Sequence, residues 1–179
     1  SKLYTSSIIF ALADQGKLSL DDSIRKWVQP KCMSGLHTYK GVDYSDSIRV
    51  YHLFTNTSGL SDYFEQKNEE GSSIRSLITS GTDTALGFDQ MIELTKALPK
   101  QFAPGAKGKA YYSDSNFQLL GKIIENVTGK SISEAYQSFV FSKIGVGNTY
   151  LYEDPGDTLP SKFYMGSRRL DIPKMMASF

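Results

Sequence analysis

The chain has 179 residues, 40% of them hydrophobic, and 20 Lys and Arg against 19 Asp and Glu leave a formal net charge of +1. That balance suits one folded domain with a real core and argues against a disordered chain. No basic or acidic run stands out, so neither nucleic acid nor an anionic membrane surface is the implied partner.

In chain order, Lys2 to Gln15 predicts a helix. Tyr4, Ile8 and Leu12 form its stripe, Ile9 and Ala13 flank it, and Gly16 is suited to end it. Asp21-Asp22 offers a cap for a short helix from Ser23 to Val28, stopped before Pro30. Lys31 to Tyr44 reads as irregular, and Asp46 or Ser47 as the cap of a short helix ending at Phe54. Thr55-Asn-Thr-Ser-Gly59 is a polar turn, and Glu65 to Gly87 is a polar stretch expected to be the most mobile surface.

Asp89 begins a helix through Leu98, with Met91, Ile92, Leu94 and Leu98 on its apolar side. After the turn Phe102-Ala-Pro-Gly105 comes the clearest helix, where Phe117, Leu120, Ile124 and Val127 recur at helical spacing before Gly129. Ser131 and Glu134 make a capping box for a further helix reaching about Phe141. Beyond Gly145 the pattern fades, with a short strand expected over Thr149 to Tyr152. The longest apolar run, Ile8 to Ala13, is far short of the ~18 residues that span a bilayer. No signal peptide is visible, although the first residue is not Met.

Generic motifs mostly fail. Gly129-Lys130-Ser131 resembles the end of a phosphate-binding loop, but that loop's first glycine would fall on Ile124. Cys32 is the only cysteine, which excludes an internal disulfide and a multi-cysteine metal site. His37 and His52 lack metal-ligand spacing and read as packed or surface imidazoles. Asn56-Thr-Ser58 and Asn126-Val-Thr128 match glycosylation acceptors, a pattern that recurs by chance.

The informative segments occur in a fixed order. They are Ser1-Lys2-Leu-Tyr-Thr5, Gly16-Lys-Leu-Ser-Leu-Asp-Asp22, and Ile48-Arg-Val-Tyr-His-Leu-Phe-Thr-Asn-Thr-Ser-Gly-Leu60. Then follow Phe102-Ala-Pro-Gly105, Tyr112-Ser-Asp-Ser-Asn-Phe-Gln118 running on to Gly129, and Phe141-Ser-Lys-Ile-Gly-Val-Gly-Asn-Thr149. Together they resemble the serine β-lactamase-like superfamily: class C β-lactamases, D-alanyl-D-alanine carboxypeptidases and related esterases. The resemblance covers nearly the whole chain and is weakest between Glu65 and Gly87.

The resemblance implies an α/β fold, an antiparallel sheet with helices on one side and a helical subdomain. Residues 1–179 are then expected to be one partial domain, mainly helical, without the N-terminal strands, the nucleophile or most of the sheet. It also implies acyl transfer through a serine ester, with no metal or organic cofactor. The family's nucleophile is the Ser of a Ser-x-x-Lys motif at a helix N-terminus, where the Lys reaches the Ser across one helix face and the helix dipole favours the alkoxide. Here the Lys aligns with Lys2, so the Ser is expected three positions earlier, and Ser1, adjacent to Lys2, does not meet that spacing. Ser23-Ile-Arg-Lys26 has the spacing but lies where the family has a structural helix, and is read as a decoy.

The family's Tyr-x-Asn element aligns with Tyr112-Ser113-Asp114. Tyr112 is the implied general base, its phenol expected to be lowered by the neighbouring ammonium, with Tyr111 the fallback if the register slips. Asp114 replaces Asn: it is expected to pair with Lys2, to offer no amide donor to a substrate carbonyl, and equally to serve as an N-cap for the helix from Ser115. That departure moves the expected substrate from β-lactams toward peptides or esters. Asn56 stands where the family has His, in a turn expected to shape the cleft. The family's later Lys- or His-x-Gly strand finds no match. The implied partner is a small-molecule or peptidoglycan-peptide substrate, with no specific protein partner. The implied location is the periplasm, the exterior or a membrane anchor. The rival expectation is a non-catalytic binding or scaffold protein on the same fold. The piece alone is expected to be inactive and poorly stable.

Overall fold

The computed structural model describes residues 1–80, 86–147 and 149–151, together with the backbone pairing of Phe163–Met165 and Arg168–Leu170. Two amphipathic helices organise it. Helix α1 (Lys2–Asp14) buries Thr5, Ile8, Ile9 and Leu12, and α6 (Asp114–Thr128) buries Leu119, Leu120, Ile123 and Ile124. The two pack together, and α6 also contacts α3 (Val50–Phe54), α5 (Phe88–Ala97) and α7 (Ile132–Tyr136). Their apolar faces join Ile24, Leu36, Ile48, Leu53 and Leu60 in one core. The buried face of α6 is turned from the stripe expected from spacing: Phe117 and Val127 are only partly buried.

Local chemistry explains the ends of the helices. Gly129 closes α6 at φ 68°, a conformation that costs other residues about 1–2 kcal/mol. The Ser131 hydroxyl accepts from the Glu134 amide at 3.2 Å, and the Ser131 amide donates to Glu134 Oε2 at 2.8 Å. This is the expected capping box, and α7 then runs through a π turn (Gln137–Phe141) into the short α8 (Ser142–Ile144).

Several expectations are corrected. The helix expected over Ser23 to Val28 is a single 3-10 turn, Ile24–Lys26, capped by Ser23 and not by the Asp pair. Asp22 instead accepts from the Ser19 amide at 2.8 Å. Lys31 to Tyr44 holds order: α2 (Pro30–Met33), then strands β1 (Thr38–Tyr39) and β2 (Val42–Asp43) paired antiparallel. Lys40 and Gly41 both have positive φ, 51° and 79°, which suits the twist of a two-residue hairpin without its usual Asn-Gly signature. Glu65 to Gly87 contains α4 (Ile74–Ser80), whose start Ser73 and Ser76 secure by exchanging amide-to-hydroxyl bonds of 2.9 and 3.2 Å. Neither Asp46 nor Ser47 caps α3: a 3-10 turn over Ser45–Ser47 precedes it, and the Arg49 amide donates to His52 Nδ1 at 3.1 Å.

The strand expected over Thr149 to Tyr152 is not formed across residues 149–151, and Tyr152 lies outside the described residues. A pairing the sequence did not suggest joins β3 (Phe163–Met165) to β4 (Arg168–Leu170), with Phe163 opposite Leu170. Met175 to Phe179 also lies outside the described residues. Among the described residues no helix is long and apolar enough to cross a membrane.

Candidate active site

The N-terminus of α1 and the N-terminus of α6 meet at the mouth of a cleft. Lys2 begins α1 and Asp114 begins α6, so one turn of each helix delivers a charged side chain to the same place. Lys2 Nζ lies 2.8 Å from Asp114 Oδ1. The Tyr112 hydroxyl donates to the same Oδ1, also at 2.8 Å. The ammonium also stands 5.7 Å from the ring centroids of both Tyr112 and Phe117, within cation–π range. The partly buried Phe117 ring therefore serves the cleft more than the core.

The electrostatics of the trio differ from the sequence expectation in one respect. Burial works against the Lys2 charge, but hydrogen bonds to Asp114 and Tyr112 prevail and its pKa is raised. Tyr112 is raised as well, not lowered: burial pushes the phenol up and Asp114 adds to that, against the pull of Lys2. Burial is the largest cause, and the carboxylate offsets the ammonium that would have stabilised a phenolate. Asp114 does not cap its own helix. Ser113 occupies the N-cap position, and the Asp114 side chain turns outward to Lys2 and Tyr112. Tyr112, and not Tyr111, is the tyrosine on Asp114; the Tyr111 amide donates to the Asn56 carbonyl at 2.9 Å.

The turn expected to shape the cleft holds this arrangement from behind, together with Asn116. Asn56 adopts φ 57°, and its Oδ1 accepts from Asn116 Nδ2 at 3.0 Å and from the Ser113 amide at 3.4 Å. The Ser58 hydroxyl donates to Asn116 Oδ1 at 2.7 Å. The turn 56–60 thus grips the start of α6 as well as shaping the cleft. Gly59 cannot be replaced freely there, since φ is 73° and a Cβ would meet the Phe102 carbonyl oxygen at 1.9 Å. The signal in the sequence was the run of small polar residues on either side, Ser58, Ser61, Ser113 and Ser115, all buried.

The cleft encloses about 660 Å³ and runs from Lys2, Asp114, Tyr63 and Gln118 along Phe117 and Met91 to Lys122, Glu125 and Ile132. Its far end carries the Lys122–Glu125 pair at 3.0 Å. Burial pushes the Tyr63 phenol up to about 12, and its hydroxyl accepts from Gln118 at 3.3 Å. In Ser23-Ile-Arg-Lys26, Ser23 Oγ donates to the Asp46 carbonyl at 2.9 Å, and Lys26 pairs with Asp22. Among the described residues no group of three or more His, Cys, Asp or Glu is placed to hold a metal ion.

Comparison with known proteins gives a consistent picture. The family model described as Beta-lactamase matches residues 1–173. A protein of Escherichia coli (strain K12) named as a D-alanyl-D-alanine carboxypeptidase is 27% identical over 150 residues, which is 83% of this chain and 32% of that relative. The crystal structure of a penicillin binding protein from Bacillus halodurans is similar at 27% identity and a TM-score of 0.64, over 89% of this chain and 44% of the other. A D-stereospecific amidohydrolase from Streptomyces sp. is similar at 26% identity and a TM-score of 0.63, over 81% and 40%. The chain therefore spans about a third of the length of the curated relatives it matches.

Proposed function

Since this chain belongs to the Beta-lactamase family, a mainly helical part of the β-lactamase/transpeptidase-like fold, we propose that Lys2, Tyr112 and Asp114 are the proton-handling side of a serine acyl-transfer site. The intact protein is read as a serine hydrolase that forms an acyl-enzyme with a peptide or ester carbonyl, in preference to a β-lactam. The observation that carries this reading is the convergence of Lys2 Nζ and the Tyr112 hydroxyl on one oxygen of Asp114, each at 2.8 Å.

The nucleophile is assigned to a serine three positions before Lys2 in the intact protein, one helical turn away on the same face. As its Oγ attacks the carbonyl carbon, the hydroxyl proton passes to the Tyr112 oxygen, and the proton Tyr112 already carries passes to Asp114. The relay suits a neutral phenol, and the raised Tyr112 supplies one. Lys2 keeps its proton, and its charge stabilises the developing alkoxide. The leaving amine or alcohol then takes a proton back from Tyr112, and water hydrolyses the ester by the same path in reverse. A carboxylate at 114 accepts hydrogen bonds only, so it gives a substrate carbonyl no amide donor. This favours carboxypeptidase- or esterase-like substrates. The relatives' names agree with a peptide or amide substrate, and a periplasmic or exterior location accompanies it.

The test is covalent labelling of the intact protein by an activated ester and by a fluorescent penicillin, alongside turnover of a D-alanyl-D-alanine peptide. Ester labelling and a burst support the reading. Serine at the third position before Lys2 with no label and no burst overturns it, and Ala or Gly there makes the protein a non-catalytic binding member of the family.

A further inference from the structure

The start of α6 is docked by a segment on which the proposed chemistry does not call. The Ser61 carbonyl accepts from Ser113 Oγ at 2.9 Å and from Ser115 Oγ at 2.7 Å. The Tyr63 amide donates to Ser115 Oγ at 3.3 Å. Between them lies Asp62, a carboxylate only 2% exposed. No salt bridge to it is formed among the described residues. It is held by amides instead: Oδ1 accepts from Phe64 at 2.9 Å and from Glu65 at 3.3 Å. The backbone amide of Asp114 also favours its charged form. Ser113, the N-cap of α6, makes no capping bond with its own side chain. Asp62 therefore secures, through its own turn, the Ser61–Tyr63 segment that docks the start of α6.

A buried carboxylate without a cationic partner is costly unless its environment compensates it. Here the compensation comes from the backbone amides of Phe64 and Glu65. Burial pushes the Asp62 carboxyl up, the Phe64 amide pulls it down, and the charge of Asp114 pushes it up again. Asp62 and Asp114 therefore feel each other directly. The other titratable groups coupled to Asp62 are Tyr63 and Tyr111, on its own loop and on the loop before α6.

We propose that Asp62 is a positioning residue: by holding the turn that carries the Ser61–Tyr63 segment against the start of α6, it fixes Asp114 at the distance at which it meets Lys2 and Tyr112. The inference rests on the reading that this trio handles the proton. Its own content is that the placement of Asp114 is decided by a residue that touches neither Lys2 nor substrate. Misplacement of a catalytic group by about 1 Å can cost roughly 100-fold in rate.

The experiment is Asp62→Asn in the intact protein, with kcat, KM and the titration midpoint of Lys2 followed by NMR of carbon-13-dimethylated lysine. Asn keeps the size and one acceptor for the Phe64 amide, but loses the charge that strengthens the bonds from the Phe64 and Glu65 amides. The expected result is a fall in kcat of roughly tenfold or more, KM within about twofold, and a Lys2 midpoint moved down because Asp114 no longer holds its ammonium as closely. If Asp62→Asn does not fold, Asp62→Ser, which keeps an oxygen for the Phe64 amide, is measured in its place. A folded variant with a lower melting temperature but unchanged kcat and an unchanged Lys2 midpoint overturns the proposal and leaves Asp62 a structural residue of its own turn. Wild-type protein with no acyl transfer at all overturns the functional reading instead, while the shift of the Lys2 midpoint still tests the coupling.

Discussion

The Lys2 ammonium lies 2.8 Å from the Asp114 carboxylate, an ion pair formed between the first turns of two helices remote in sequence. Half-exposed pairs of this kind contribute little to stability. Their weight falls on protonation: Asp114 helps to keep Lys2 charged, which under the proposed mechanism makes Lys2 an electrostatic anchor and not the base.

Replacing Asp114 with Asn is expected to move the Lys2 titration midpoint down, since the carboxylate charge that raises it is lost and the remaining acceptor is neutral, while the burial that lowers it stays. Carbon-13 NMR of the dimethylated lysine checks this across alkaline pH. An unchanged or higher midpoint would remove the pair from the account of Lys2.

Tyr112→Phe deletes the hydroxyl on Asp114 and keeps the ring beside Lys2. Loss of a general acid–base group costs typically about 10²–10⁴-fold, so kcat for ester turnover is expected to fall in that range with the fold intact. Tyr111→Phe is expected to leave kcat within about twofold, as its ring is not on Asp114. Equal losses in both variants would contradict the register assigned here.

Gly59→Ala is expected to destabilise the protein by more than about 2 kcal/mol, combining the left-handed φ penalty with a steric clash. The added Cβ would sit 1.9 Å from the Phe102 carbonyl oxygen. A urea midpoint shifted by less than a few tenths molar would show that the turn relaxes. Gly16→Ala, with open space around its Cβ, is the control that carries the φ penalty alone.

Stability should fall as the pH drops below about 6.5, the ordinary histidine value. Burial lowers both His37 and His52, against backbone contacts that raise His37, and among the described residues no partner meets the hydrogen-bond geometry at either ring nitrogen of His37 or at His52 Nε2. Lys100 adds to the lowering of His37, Arg49 to that of His52, and Asp21 opposes it weakly. A group whose folded pKa is depressed below its unfolded value takes up its proton more readily on unfolding. Its contribution is therefore complete above about pH 6.5 and declines as the pH falls toward the folded pKa. Denaturant melts between about pH 5 and 7 measure the slope, and His37→Phe should flatten it. A slope identical in the variant would assign the acid loss to other groups.

Much of this molecule was legible in the order of its residues. The stripe Ile8–Leu12, the Gly129 stop and the Ser131–Glu134 box all act within a few residues, and the helices formed where those signals stood. Lys2, Tyr112 and Asp114 were singled out by resemblance of motif. What the sequence did not disclose depends on contacts between distant segments. The β1–β2 hairpin turns at Lys40-Gly41 without a turn signature, and α4 forms inside a stretch read as polar surface, since two serines can secure a helix end as Ser and Glu do. The Tyr112 phenol was expected low from the ammonium beside it. It is raised, because the field at an atom sums over burial and over every neighbouring charge, and Asp114 contributes as well. Sequence by itself determined where α1, α5, α6 and α7 form. Only the tertiary structure decided that Asp114 faces Lys2 and not its own helix, and that the Ser61 carbonyl takes the Ser113 and Ser115 hydroxyls behind it, because hydrogen bonds at a helix end can be satisfied from anywhere the fold brings an oxygen.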